Sequence, residues 1–412
     1  QLAAFCSSLR DSGLDGFDEP SSWIEAFGLL KEVVRTSEAP KKIVFIDELS
    51  WMDTPKSGFM NAFEWFWNGW ASARKDVVLV VCASATSWML DKVVHNKGGL
   101  YNRLSRQIHL QPFALRECEA LAKTNGIEMN RHQTLECYMI LGGVPHYWNL
   151  MRKGLSLSQN IDMLFFASDA PLAREYDYLF SSLFKRPREY IRIVGALCGK
   201  KAGMTREEIA IAIDSASSGT LTKHLEELES CGFIRKYRAY GKKRRGSLYQ
   251  LIDNFTLFHR KFLASAGQDD HYWSHMLNTP TRNAWCGLAF ERVCLEHVPQ
   301  IKRALGISGV LTSVNSWACK RDDDLGVNGS QVDLLIDRKD QVVNICEMKY
   351  SAQDYTLTKE AEKSLMNKVS DFRTVTKSKS AIHPVLVTTH GLKRNSYSDA
   401  FQAVVTADDL FS

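Results

Sequence analysis

This sequence of 412 residues lacks several features that define whole classes of protein. Its ten cysteines include no C-x-x-C pair, which argues against zinc and disulfide frameworks and for a reducing cytoplasm. No run approaches the roughly eighteen apolar residues of a membrane span. No signal peptide is visible, although the chain begins at Gln1 without an initiator Met, so targeting stays open. Together these absences predict a cytoplasmic protein.

The chain also lacks a strong excess of charge. Its net charge of +5 is too small to imply a nucleic-acid partner by itself. The 45% hydrophobic and 24% charged residues are ordinary for a soluble globular protein. The length predicts about two to four domains with a sizeable buried core.

The most informative absence is that of a phosphate-binding G-x-x-x-x-G-K-[ST] loop, which occurs nowhere in the 412 residues. A P-loop ATPase places that loop after its first strand, ahead of an acidic strand called Walker B. Either the chain is a fragment that has lost the loop, or the domain does not hydrolyse nucleotide. The missing initiator Met favours the fragment, and a chain without the loop should bind ATP poorly.

The strongest positive feature is the stretch 41–53, K-K-I-V-F-I-D-E-L-S-W-M-D. Its apolar run 43–46 predicts a strand buried on both faces, as in a parallel sheet. Asp47 and Glu48 follow at the C-terminal end of the strand, the edge where such sheets bind ligands. In a P-loop NTPase the Asp of Walker B holds Mg²⁺ and a following Glu can polarise the attacking water. The alternative is a buried strand that ends in a capped turn.

Polar residues follow a second apolar run as well. Residues 77–82 predict another fully buried strand, and the hydroxyl-rich stretch 83–87 comes directly after it. Ser84 or Thr86 could there sense a γ-phosphate, or could simply cap a helix. The helix predicted between the two strands, 59–70, is rich in aromatics that we expect in the core.

The segment 98–113 predicts a turn followed by a third short strand. Its arginines, Arg103 and Arg106, could reach a phosphate, because a guanidinium fork suits phosphate oxygens. The alternative for both is a solvated surface arginine. Residues 114–170 predict helices and contain L-G-G-V-P at 141–145.

Four motifs in this order resemble the prokaryotic AAA-type (archaeal-ATPase-like, STAND-related) ATPases with a DUF234-type C-terminal region. They are the acidic strand with W-M-D, then S-A-T-S-W-M, G-G-L-Y-N-R and L-G-G-V-P. The resemblance covers nearly the whole chain and implies ATP bound between a P-loop core and a helical lid. It implies Asp47 and Glu48 as Walker B, Ser84 or Thr86 as sensor 1, and Pro145 of the lid near the base. The absent P-loop departs from the pattern.

Residues 176–265 predict a winged helix-turn-helix. A short helix over 204–213 is opened by a capping box of Thr205 and Glu208. The second helix presents an apolar face of Leu221, Leu225 and Leu228. The predicted wing tip carries four basic residues suited to DNA phosphates, Lys242, Lys243, Arg244 and Arg245. The alternative is a wing that packs on the ATPase part or stays solvated.

The last domain, 266–412, brings together acidic residues and a lysine. A helix is predicted to begin at 287–291, and strands are predicted over 331–336 and 342–346. Glu347 and Lys349 are two residues apart, so on a strand they share one face. With Glu291 and Asp333 they resemble the PD-(D/E)xK nuclease core, in which carboxylates hold Mg²⁺ and the lysine helps to activate water. A charged strand edge or a degenerate remnant are the alternatives.

The sequence therefore predicts an α/β protein of four parts. These are a truncated P-loop NTPase core (1–115), a helical lid (116–175), a winged helix (176–265) and a restriction-endonuclease-like domain (266–412). The expected function is that of an ATPase using ATP and Mg²⁺, whose nucleotide state is read out by the last two domains. The alternatives are a DNA-binding or DNA-cleaving protein with a scaffolding ATPase part, and a regulatory protein that binds other proteins.

Overall fold

A computed structural model describes residues 1–84, 86–184, 186–215, 219–241 and 247–412, without the side chains of residues 86 and 87. The protein is a mixed α/β protein, and its described strands form three separate sheets. It divides into two compact units, 1–109 with 182–185 and 110–181 with 186–412. None of the described helices combines the length and apolar character that crossing a membrane requires.

The first unit packs helices against one face of a two-stranded parallel sheet. An aromatic cluster of Trp23, Phe27, Phe59 and Phe66 joins the two longest helices of this unit. In chain order the elements are α1 (Leu2–Asp11), α2 (Trp23–Thr36), β1 (Lys42–Ile46), α3 (Leu49–Met52), α4 (Phe59–Gly69), a 3₁₀ turn (Ala71–Ala73), β2 (Val77–Val81), α5 (Thr86–Met89) and a π turn (Leu90–Val94).

Both strands predicted for the first unit are present, but the prediction that they are buried on both faces was wrong. Their inner face, with Val44, Leu79 and Val81, packs on the helical core. Their outer face is open: the exposed fractions are 72% for Ile43, 59% for Phe45, 45% for Val78 and 41% for Val80. The physical reason is that the helices of this unit cover one side of the strand pair only.

Two further predictions for this part of the chain need correction. In α4 the core is formed by Phe59, Phe63 and Phe66, whereas Trp65 is exposed and carries the Lys31 ammonium 3.3 Å from its ring centroid. The third short strand is absent from the described residues 98–113. A strand needs a neighbouring strand for its hydrogen bonds, and none of the described sheets includes residues 98–113.

The second unit begins with helices, as predicted for 114–170. They are α6 (Leu115–Thr124), α7 (Arg131–Leu141), α8 (Pro145–Asn149) and α9 (Leu157–Phe165), followed by α10 (Glu175–Leu183), whose last two residues belong to the first unit. The buried Asp162 of α9 accepts hydrogen bonds from the backbone N–H groups of Trp273 at 2.7 Å and Ser274 at 3.2 Å. These helices therefore pack directly on a later part of the chain, within one compact unit.

A helix–hairpin segment, residues 187–251, follows. It contains α11 (Pro187–Cys198), β3 (Met204–Thr205), α12 (Arg206–Ala212), α13 (Gly219–Ser230), β4 (Ile234–Tyr237) and β5 (Leu248–Leu251), with sheet order β3-β5-β4. The predicted capping box is present, since Thr205 accepts from Glu208 N at 3.2 Å and Glu208 accepts from Thr205 N at 2.7 Å. The apolar face of α13 is buried as expected, at Leu221, Leu225 and Leu228.

The chain ends in a helical layer and a five-stranded sheet of order β10-β9-β8-β7-β6. Strands β6, β7 and β8 are antiparallel, whereas β8, β9 and β10 are parallel. The elements are α14 (Asn254–Ala266), α15 (Tyr272–His275), α16 (Pro280–Glu296), α17 (Val298–Ala304), β6 (Thr312–Cys319), β7 (Ser330–Arg338), β8 (Val342–Lys349), α18 (Lys359–Thr376), β9 (Ala381–Thr388) and β10 (Ala403–Thr406), with 3₁₀ turns Ser398–Ala400 and Ala407–Phe411.

Two features of this region bear on the site. Glu291 was expected near the start of its helix, but α16 begins at Pro280, capped by Thr279, so Glu291 lies in the second half of the helix. The helix–hairpin segment is joined to the sheet, because Tyr240 N donates to Ser316 O at 2.7 Å and the Tyr240 ring packs 5.2 Å from that of Phe372. Apart from residues 182–185, the ranges predicted as lid, winged helix and last domain thus lie together in the second unit.

Candidate functional site

The first candidate site lies at the C-terminal end of the strand pair in the first unit. Hydrogen bonding continues beyond the strands, because Cys82 N donates to Ile46 O at 3.1 Å and Leu49 N donates to Cys82 O at 2.9 Å. This fixes Asp47 and Glu48 beside the residues that follow β2. Ser84 donates to the Glu48 carboxylate from its hydroxyl at 2.9 Å and from its backbone N–H at 3.3 Å.

The backbone of Glu48 is strained, and its neighbour is held by two donors. Glu48 has a φ of +47°, in the left-handed region that residues other than glycine rarely adopt. Asp47 accepts hydrogen bonds from Glu48 N at 2.9 Å and from the Cys82 thiol. Burial, and then the Asp47 carboxylate, raises the pKa of the Cys82 thiol, so it stays a proton donor at neutral pH. Strain kept in place by such contacts is typical of functional sites.

The structure brings together only some of the predicted nucleotide-site residues. Asp47, Glu48 and Ser84 form one cluster, whereas the side chain of Thr86 lies outside the described residues. Arg103 and Arg106 are exposed in the first unit, and within the described structure neither side chain bonds Asp47 or Glu48.

The remaining residues predicted to contact ligands lie elsewhere. Pro145 is the first residue of α8, in the second unit, and a role near a base stays a prediction. The four basic residues predicted for the wing, Lys242, Lys243, Arg244 and Arg245, fall outside the described residues.

The second candidate site lies where β7 begins and β8 ends, beside α16. The antiparallel ladder pairs Leu334 with Cys346. Asp333 precedes Leu334 and Glu347 follows Cys346, so both lie at the same end of the strand pairing. Lys349, at the end of β8, contacts Glu347 Oε1 at 2.8 Å. Asp333 also accepts a hydrogen bond from Gln331 Nε2 at 2.6 Å.

Two lysines that the sequence patterns did not single out complete this site. Lys201 Nζ, from the turn after α11, lies 2.7 Å from Glu291 Oε2 and 3.3 Å from Asp333 Oδ2. Lys368 Nζ, from α18, lies 2.7 Å from Glu347 Oε2. Three carboxylates are therefore balanced by three ammonium groups, Lys349 being the third. No local motif marks Lys201 or Lys368, since each reaches the site from a distant part of the chain.

The ionisation of this cluster follows from burial and pairing. Burial raises the pKa of Glu291, and the Lys201 ammonium reduces that shift. Burial acts in the same direction on Glu347, but Lys349 and Lys368 outweigh it and lower its pKa. For Lys201, burial alone would lower the pKa, yet its two carboxylate partners together raise it. Pairing therefore favours the charged forms of Glu347 and Lys201, whereas burial opposes the charged form of Glu291.

The same geometry bears on metal binding. Within the described residues, no group of three or more His, Cys, Asp and Glu side chains is arranged to hold a metal ion. Glu291 and Asp333 nevertheless both contact the Lys201 ammonium. The two carboxylate oxygens that contact it are at most 6.0 Å apart, the sum of their distances to Lys201 Nζ. A small cavity of about 120 Å³ opens beside them, lined also by Arg235, Tyr237 and Gln250.

Comparisons with known proteins give distant similarities. No protein-family model matches this chain. It is 22% identical over 335 residues to the uncharacterized protein MJECL04 of Methanocaldococcus jannaschii, covering 80% of this chain and 70% of that protein. The solved Walker-type ATPase PABY2304 of Pyrococcus abyssi aligns with a TM-score of 0.41 and 15% identity, over 62% of this chain and 74% of that one.

Proposed function

We propose that the first unit is the hydrolytic part of a P-loop-type ATPase. The observation that carries this proposal is the hydrogen bond from the Ser84 hydroxyl to Glu48 at 2.9 Å, which links the ends of two parallel strands. A carboxylate aligned by such a donor is placed to orient an attacking water, and the hydroxyl is placed to sense a γ-phosphate. The left-handed backbone of Glu48 supports the same role, because such strain is often found at functional sites.

Asp47 fits the role of a magnesium ligand in this proposal. It is exposed, and Mg²⁺ is commonly held by one or two carboxylates together with waters and substrate phosphates. When bound, Mg²⁺ would neutralise charge developing on the transferred phosphoryl group. Asp47 would position the ion, with its own orientation set by the Cys82 thiol and by Glu48 N. Glu48 would hold the water, and Ser84 would keep Glu48 in place.

The open outer face of the strand pair supports a larger nucleotide-binding core. Parallel sheets are almost always covered on both faces, yet Ile43 and Phe45 are mostly exposed. A groove of about 890 Å³ runs along α1, the end of α2 and β1, with apolar residues such as Phe5, Leu30 and Val34 in its wall. We infer that a further strand, carrying the phosphate-binding loop that these 412 residues lack, covers this face.

The proposal is tested by Glu48→Gln in the protein expressed at the full length that its gene encodes. We expect ATP hydrolysis to fall at least about 100-fold, because general-base catalysis contributes about that much, while ATP stays bound. Glu32→Gln on α2, an exposed glutamate paired with Arg35, is the matched control and should leave turnover unchanged. Unchanged turnover in Glu48→Gln would refute the assignment of Glu48.

A second candidate function, metal-dependent cleavage of DNA, is favoured by one observation in the second unit. Asp333 and Glu347 lie beside the same ladder pair of two antiparallel strands, and Lys349 contacts Glu347. Carboxylates are the ligands that Mg²⁺ prefers, so Asp333 and Glu291, which both contact Lys201, are the residues that would hold it. A bound ion would lower the pKa of a water nucleophile. Lys349 would stabilise the negative charge that develops on the phosphate.

Nicking of supercoiled DNA with Mg²⁺ or Mn²⁺ tests this second function. We expect Asp333→Asn and Lys349→Met each to abolish nicking. Asp337→Asn, a carboxylate on the same strand that accepts from Ser313, should retain it. Absence of cleavage by the unmodified protein on duplex and on single strands would leave a degenerate site used for stability or binding.

A further inference from the structure

We infer that the Lys201 ammonium occupies the position of a divalent cation between Glu291 and Asp333. It must leave both carboxylates before a metal ion can bind between them. This inference rests on the metal site proposed for the second unit. It assigns to the helix–hairpin segment the function of closing that site. The segment and the site belong to the same compact unit.

The contacts of Lys201 place its ammonium where a metal ion would lie. Its Nζ is within 3.3 Å of one oxygen from each carboxylate. Oxygen ligands of Mg²⁺ lie at about 2.0–2.1 Å from the ion, so two ligands of one ion are within about 4.2 Å of each other. An ion between Glu291 and Asp333 would therefore occupy the space of the ammonium. Two cations cannot share this space, so lysine and metal are alternative occupants.

The turn that carries Lys201 is held from two sides. Gln250 Nε2, on β5, donates to Lys201 O at 2.5 Å, and the Tyr237 hydroxyl, on β4, donates to Ala202 O. Gly203 has a φ of +72°, and a Cβ added there would lie 2.5 Å from Tyr249 O. The hairpin therefore packs directly against the turn and fixes the position from which Lys201 reaches the carboxylates.

Release of the lysine is a reasonable motion because its side chain is more exposed than the two carboxylates that it contacts. The Lys201 side chain is 41% exposed, whereas Glu291 is 19% and Asp333 27% exposed. When the ammonium swings into solvent, it regains its hydration, and the two partly buried carboxylates lose their shared cation. Such a pair is costly without a cation. A shift of the helix–hairpin segment that withdraws the turn would therefore raise the affinity of the site for a metal ion.

Calorimetric titration with Mn²⁺ alone tests this inference on the full chain. Lys201→Met removes the ammonium and should tighten Mn²⁺ binding about tenfold or more, as expected if the open state is populated about one tenth of the time. Lys201→Arg keeps a cation in place and should bind as weakly as the wild type. Lys200→Met, which removes the adjacent positive charge, is the matched control for general electrostatics and should change the affinity less than about twofold.

A second measurement follows the turn itself. Saturating Mg²⁺ should increase hydrogen exchange of the backbone amides at 199–205 in the wild type, and should change it little in Lys201→Met. Equal Mn²⁺ affinity in wild type and Lys201→Met, with loss of binding in Asp333→Asn, would overturn the role of Lys201 and leave the metal site standing. Absence of Mn²⁺ binding in every variant would overturn the metal site, and the role of Lys201 with it.

Discussion

Gly143→Ala should be among the most damaging single-methyl substitutions in the second unit. A Cβ at this position would lie 2.0 Å from Phe113 O and 2.7 Å from Phe113 N. The obstacle is backbone, which cannot swing aside as the end of a side chain can. The same approach forms a hydrogen bond from Phe113 N to Gly143 O at 2.7 Å, which ties the segment before α6 to the turn after α7.

The expected loss in the free energy of unfolding follows from these two effects. Overpacking a tight contact costs about 1–3 kcal/mol, and loss of the hydrogen bond adds about 1 kcal/mol. We therefore expect Gly143→Ala to lower the free energy of unfolding by about 2–4 kcal/mol, measured from urea unfolding midpoints. Gly287→Ala in α16 is the control, because a Cβ there meets nothing within 4 Å. It should stabilise by up to about 1 kcal/mol through helix propensity. A change below about 0.5 kcal/mol for Gly143→Ala, the range of ordinary surface substitutions, would refute the close approach.

Two further predictions concern charge. Changing Lys242, Lys243, Arg244 and Arg245 to Ala should weaken binding to duplex DNA and lower the log–log salt slope by about 0.9 for each lost phosphate contact; an unchanged slope would mean that the wing does not contact DNA. Burial, and then the Asp253 carboxylate, raises the pKa of Glu296 from 4.5 to about 8. Because the folded pKa is the higher one, the stabilising contribution is complete below pH 4.5 and is lost as pH rises toward 8. Glu296→Gln should remove this part of the pH dependence of urea unfolding, and an identical pH profile in that variant would contradict the burial of the carboxyl group.

Features set by a few neighbouring residues could be predicted from the sequence. The Thr205–Glu208 capping box, the apolar face of α13 and the apolar runs of β1 and β2 all have the local structure expected. The parallel pairing that brings Ser84 to Glu48 follows from the same logic, since neighbouring parallel strands end at one edge of a sheet. In each case the residues that decide the geometry are close in sequence or lie on adjacent strands.

Features set by distant parts of the chain could not be predicted in this way. The exposure of Ile43 and Phe45 depends on which segments cover the sheet, and apolar character alone does not reveal that. Lys201 and Lys368 reach the second site from a turn and a helix without a motif. The helix α16 begins at Pro280, earlier than the predicted start at 287–291, although Thr279 followed by Pro280 is a recognisable helix start.

The measurement that tests the proposed ATPase most directly is the ³¹P hyperfine coupling of Mn²⁺ bound together with ATP to the full-length gene product. We predict a coupling in the wild type, because the ion would lie between Asp47 and the phosphates. Asp47→Asn should lose the coupling or weaken Mn²⁺–ATP binding about tenfold or more, the typical range for a metal ligand or its partners. Asp53→Asn, which removes a nearby carboxylate that accepts from Trp88, should keep it. An unchanged coupling in Asp47→Asn, or none in the wild type, would contradict the placement of the nucleotide site at this strand end.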